Sequence, residues 1–167
     1  MPLTRHKRQS HSTIRADSHM NIFRPNTLQG RKILIIYDDP QIVTIIRLYL
    51  QKACKDTVLE AVDSDEAIAK AQATTPDLII IEMALADSDG YESGRRLKAV
   101  PLLHHIPILF IGDAKNYSGA YDLGAQGFLL KPFEPDELRK ARIELLNGKT
   151  YWPSPPYDPW LLFDQSK

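Results

Sequence analysis

A chain of 167 residues with 43% apolar and 25% charged content is long enough for one domain with a buried core. Its single cysteine, Cys54, excludes an internal disulfide and any cysteine-based metal centre, and fits a reducing compartment. No apolar run approaches the ~18 residues of a membrane span, and the N-terminus carries charge but no apolar signal segment. The expectation is a cytoplasmic protein with no membrane contact.

The formal net charge of zero is unevenly spread. Residues 1–32 hold seven basic side chains (Arg5, Lys7, Arg8, Arg15, Arg24, Arg31 and Lys32) against Asp17 alone, a net of +6 that leaves −6 on the remainder. Residues 1–30 lack hydrophobic periodicity and read as a flexible basic leader. Such a leader is ordinarily a solvated tail. Its functional alternative is electrostatic docking to nucleic acid or to an acidic partner, and no aromatic interleaving or binding motif supports the nucleic-acid reading.

From Arg31 the pattern changes. The Ile-rich run 32–37 predicts a strand buried on both faces. A helix over 41–53 follows, with Ile42, Ile45, Ile46, Tyr49 and Leu50 at helical spacing, Asp39 as its cap and Pro40 at its first position. Residues 57–62 predict a second strand, and 64–75 an Ala-rich helix with Ser64 as N-cap. A third strand spans 77–82, followed by a helix over 91–100 with Leu97 and Val100 inward. A fourth strand spans 106–112, a short weak helix 114–124, and a fifth strand 127–130. The last helix, 134–148, has an acidic first turn and stops at Gly148. The tail, 149–167, holds four prolines and five aromatics; it leans towards polyproline II, and its "WLLF" (160–163) is expected to be buried somewhere.

Five apolar strands alternating with five helical segments predict an α/β fold with a parallel sheet and helices on both faces, over residues 31–148. In such sheets ligands gather at the carboxyl ends of the strands. Tyr37, Asp38 and Asp39 end the first strand, Glu82 the third, Gly112 and Asp113 the fourth, and Lys131 the fifth. Any one of these alone is the ordinary polar end of a strand. The set, at matching topological positions, points to a site where crowded carboxylates need a cation, a lysine or a raised pKa.

The segments "ILIIYDDP" (33–40), "PDLIIIEMALADSDGYE" (76–92), "IPILFIG" (106–112) and "GAQGFLLKPF" (124–133) give the chain a resemblance to the receiver domains of two-component response regulators. The resemblance implies a flavodoxin-like (βα)5 three-layer sandwich with strand order 2-1-3-4-5. It implies a site in which an aspartate ending the third strand accepts a phosphoryl group from a histidine kinase, an acidic pair after the first strand holds Mg²⁺, and a hydroxyl residue and a lysine contact the phosphoryl. On that pattern Glu82 is the phosphoacceptor equivalent, Asp38 and Asp39 form the acidic pocket, and Lys131 is the phosphoryl-contact lysine. Gly112 and Phe128 stand at the switch positions. Asp38 and Glu82 are then the candidate ligands of a weak or absent Mg²⁺.

The departures carry the functional expectation. Glu82 replaces the accepting aspartate, Tyr37 the first acid of the pair, Gly112 the hydroxyl residue and Ala86 the proline common in the third-strand loop. The chain is therefore expected to be a stand-alone pseudo-receiver, not an enzyme. It would act in a phosphorelay through contact with a signalling protein such as a histidine kinase or another regulator, with a homodimer among its expected assemblies. Two alternatives remain open: a phosphorylatable receiver whose acceptor is Glu82 or Asp87, and a nucleic-acid-associated regulator using the leader. A hydrolase is disfavoured, because no Ser/His/Asp or Cys/His arrangement is visible.

Overall fold

Four isoleucines and leucines in a row cannot expose one face to water, so such runs become the middle of a sheet covered on both sides. The computed structural model describes residues 28–85 and 89–153. In it β1 (Lys32–Ile36), β3 (Leu78–Glu82) and β4 (Ile108–Gly112) occupy the centre, with β2 (Thr57–Ala61) and β5 (Gly127–Leu130) outside them. All neighbours pair in parallel, in the order β2-β1-β3-β4-β5. The register sets Ile36 beside Ile81 and Glu82 beside Ile111. This is the flavodoxin-like arrangement, and it brings the carboxyl ends of β1, β3, β4 and β5 to one edge.

Helices α1 (Pro40–Cys54) and α5 (Pro135–Leu146) cover one face of the sheet. Helices α2 (Ser64–Thr74), α3 (Gly90–Ala99) and α4 (Tyr117–Asp122) cover the other. Asp39 caps α1 as the sequence implied, its Oδ1 accepting from the Gln41 and Ile42 amides at 2.8 and 3.3 Å. The α2 cap differs from the sequence reading. Asp63, not Ser64, accepts from the Glu66 amide at 2.8 Å, because Ser64 is turned inward, its hydroxyl 2.6 Å from that of Ser93 on α3.

The apolar face of α1 also differs. Val43, Ile46, Leu50 and Cys54 form its buried stripe, whereas Ile45 remains 60% exposed and Ile42 and Tyr49 are half-buried. Spacing alone fits both stripes; the rotation of the helix on the sheet chooses between them. The fourth helical segment is broken into a 3₁₀ turn, Ala114–Asn116, and a six-residue α4 with one buried residue, Ala120. The chain after α5 returns to the sheet. Tyr151 pairs in parallel beside Gly127, its carbonyl accepting from the Phe128 amide at 2.8 Å and its amide donating to Gln126 at 3.0 Å. Trp152 then packs edge-on against Tyr117 and Tyr121 of α4, with ring centroids 5.2 and 5.5 Å apart.

At the opposite end of the strands Arg142 of α5 is 2% exposed and pairs with buried Asp56, its guanidinium also donating to the Leu28 carbonyl. The leader before residue 28, the loop residues Ala86 and Asp87, and the "WLLF" segment lie outside the described residues.

Candidate functional site

Glu82 ends β3 with its whole side chain enclosed, 1% exposed. Its position is fixed from behind by Gly90, the glycine of the loop's "DG": a Cβ there would stand 2.0 Å from the Glu82 carbonyl oxygen, so only glycine lets α3 begin this close to the strand. A buried carboxylate requires compensation, and two groups supply it. Lys131 Nζ, following β5, lies 2.5 Å from Oε2. The Ala84 amide donates to Oε1 at 3.1 Å. The Tyr37 phenol, following β1, stands beside the same carboxylate, which helps to push its pKa up. Lys131 Nζ also sits 5.3 Å from the centroid of the Tyr37 ring.

Tyr37 thus occupies the space where the sequence suggested only a missing acid. Its phenol is pushed far above its ordinary value, first by burial, then by the Glu82 carboxylate beside it and the negative charges of Asp39 and Asp38. It remains neutral. The sequence signal was its position at a strand end; its partner becomes visible only once β1 and β3 are adjacent.

The other sequence-predicted residues divide. Asp38, partly exposed, and Asp113, exposed, line the same cleft as Glu82 and Lys131. Asp39 lines it too, but its Oδ1 is already occupied by the α1 cap. Gly112 is covered by Met83: a Cβ there would meet Met83 Cβ at 3.1 Å and Asn116 Oδ1 at 3.0 Å. Phe128 is fully buried, with Tyr117 edge-on at 5.6 Å and Trp152 beyond it. It lies under an aromatic stack and is not among the residues that line the cleft.

Among the described residues no group of three or more His, Cys, Asp and Glu is placed to hold a metal ion. The donor chemistry agrees. Glu82 is taken by an ammonium, Asp39 by two backbone amides, and a phenol stands at the first acid's position, while Asp38 and Asp113 also line the cleft. This donor set departs from the Mg²⁺ centre the resemblance implies at the first acid, which is a tyrosine, and at Glu82, which is paired with Lys131.

The cleft is larger than the polar cluster. It encloses about 700 Å³, with an apolar wall of Ile42, Ile45, Tyr49, Phe133, Pro135 and Leu138 running between α1 and α5. Sequence reading put Ile42, Ile45 and Tyr49 at helical spacing and did not identify this wall.

Residues 33–143 match the model of the response regulator receiver domain. The chain is similar to the alkaline phosphatase synthesis transcriptional regulatory protein PhoP of Bacillus subtilis, 33% identical over 118 residues, which are 70% of this chain and 48% of that protein. It is similar to the DNA-binding dual master transcriptional regulator RpaA of Synechocystis at 34% identity over 122 residues, covering 71% of this chain and 50% of that protein. The chain thus spans about half the length of these curated relatives. Among solved structures it resembles the chemotaxis protein CheY4 of Vibrio cholerae, with 30% identity and a TM-score of 0.61 over 66% of this chain and 94% of that one. It also resembles the receiver domain of sensor histidine kinase PA1611 of Pseudomonas aeruginosa, solved with a magnesium ion coordinated in its active site cleft. That match has 25% identity and a TM-score of 0.63, covering 71% and 98% of the two chains. With the parallel order β2-β1-β3-β4-β5, the lysine ending β5 and the matched residues 33–143 in agreement, the chain belongs to the response regulator receiver domain family of two-component signalling.

Proposed function

We propose that this receiver is a pseudo-receiver held in one state, which acts through protein–protein contact and takes no part in phosphoryl transfer. The observation that carries the reading is the closed Tyr37–Glu82–Lys131 cluster, in which the carboxylate at the acceptor position already has its cation and its donors. Phosphoryl transfer depends on an acceptor oxygen placed in line and a metal neutralising the developing charge. The extra methylene of Glu82 moves its carboxylate outward by about 1.5 Å, and misplacement on that scale costs ~100-fold in rate. An acceptor buried under Lys131 must also break an ion pair before it can react.

The same cluster imitates part of the charge of a phosphorylated side chain beside Lys131, permanently. Gly112 adds no hydroxyl to respond to a change in that charge, and Phe128 is enclosed by Tyr117 and Trp152. A fixed state read by a partner, such as a histidine kinase or another cytoplasmic regulator, fits this arrangement better than a switch or an enzyme. Mg²⁺ plays no part in the function proposed.

The test is incubation with Mg²⁺ and acetyl phosphate, read by intact mass beside an ordinary receiver as control. The expected result is no added phosphoryl group on this chain where the control is labelled. A hydroxylamine-labile gain of one phosphoryl group that disappears in Glu82→Gln overturns the proposal and makes the chain a working receiver with a glutamate acceptor.

A further inference from the structure

The apolar wall of the cleft has no occupant among the described residues, and Ile45 stands 60% exposed in it. The rim above is acidic: Glu82 and Lys131 are paired with each other, and Asp38, Asp39 and Asp113 are the further charged residues among the described lining residues. An occupant that suits both parts has an apolar anchor with positive charge beyond it. The chain itself holds such a segment. Before residue 28 lie Ile22 and Phe23, with Arg5, Lys7, Arg8 and Arg15 N-terminal to them and Asp17 the only acid.

The place where the described chain begins favours this segment. Leu28 sits at the foot of the α1–α5 groove, its carbonyl held by Arg142 of α5, while Gly30 donates to Cys54, the last residue of α1, at 3.3 Å. Both helices run from the acidic rim at their N-termini down to this foot. Ile45 lies nine residues up α1 from Cys54, about 14 Å, and the five residues from Leu28 back to Phe23 span about 17 Å when extended. An extended leader entering the groove at Leu28 therefore brings Phe23 and Ile22 level with Ile45 and Ile42.

We propose that the leader of this same chain covers the cleft, with Ile22 and Phe23 against the apolar wall and the basic residues before them over the acidic rim. The C-terminal tail is the weaker occupant on the same grounds. Its apolar "WLLF" is flanked by Asp158 and Asp164, acid against an acid rim, and Trp152 commits the chain before it to the α4 side of the sheet. The proposal stands whether or not Glu82 accepts a phosphoryl group.

The full chain carries its own control for a spin-label test. Cys54 is buried and its thiol is pushed up mainly by that burial, so a nitroxide on Ser18→Cys labels the leader selectively. The amide signals of Ile42, Ile45 and Tyr49 are expected to lose most of their intensity. In a mixture of labelled protein without isotope and isotope-enriched protein without label, they are expected to lose none. Ile45→Glu is expected to restore the intensities of its neighbours while leaving the rest of the spectrum in place. Unchanged intensities with the label at residue 18 overturn the proposal. So does loss in the mixed sample, which makes the occupant a second copy. Loss from a label at Ser166→Cys and not at residue 18 overturns it also, because the tail is then the occupant.

Discussion

Lys131 and Glu82 are buried unequally: the lysine side chain keeps 33% of its exposure and the carboxylate 2%. Removing one partner therefore differs from removing the other. In Lys131→Met the carboxylate stays enclosed without its cation, at a cost of about 3 kcal/mol. In Glu82→Gln the amide oxygen still accepts from the Ala84 amide and the lysine turns to water, for about 1 kcal/mol. Urea unfolding of the two variants at one pH is expected to give that order; the reverse order means that the pair does not hold the site. Tyr37 adds a pH dependence. Its phenol is raised above the ordinary 10.0 in the folded state, so its contribution is fully present below pH 10. The unfolded chain ionises there first, and the contribution is lost as pH rises further. The parent is expected to lose stability more steeply than Tyr37→Phe above pH 10, and equal slopes contradict the buried Tyr37–Glu82 contact.

Helix α4 is the element with the least support of its own. It has six residues and one buried side chain, far short of what holds a helix by itself. Tyr117 is held between Phe128 beneath and Trp152 outside, and Tyr121 meets the same indole. Trp152→Ala is expected to cost about 2 kcal/mol, less than for a fully buried tryptophan because the ring is half-exposed. Amide exchange is expected to rise in residues 117–122 and to stay unchanged in β1 and β3. Unchanged exchange in α4 means that the aromatic stack does not hold the helix. Sequence reading placed this helix as short and weak, which its composition supports. It placed Trp152 in a separate tail, because the Tyr151 pairing with Gly127 joins residues 24 positions apart and leaves no local pattern.

At the scale of the molecule, functions gather at the two ends of the sheet. At one end the Arg142–Asp56 pair ties α5, the turn after α1 and Leu28 together. At the other, β1, β3, β4 and β5 deliver Tyr37, Glu82, Asp113 and Lys131 to one cleft. The sequence alone determined the elements, their parallel pairing and the strand ends that form the site, because buried strands require continuous apolar runs and parallel sheets gather their polar ends on one edge. It also placed a glutamate, Glu82, at the end of the third strand, with Tyr37 and Gly112 at two neighbouring strand ends. Only the tertiary structure decided how those places are arranged: a buried phenol beside the carboxylate, a methionine over Gly112, and an α1 turned so that Ile45 faces a cleft. Periodicity records which residues share a face. Which neighbour that face meets depends on how a helix is rotated on the sheet and on contacts between distant residues, which no local pattern encodes.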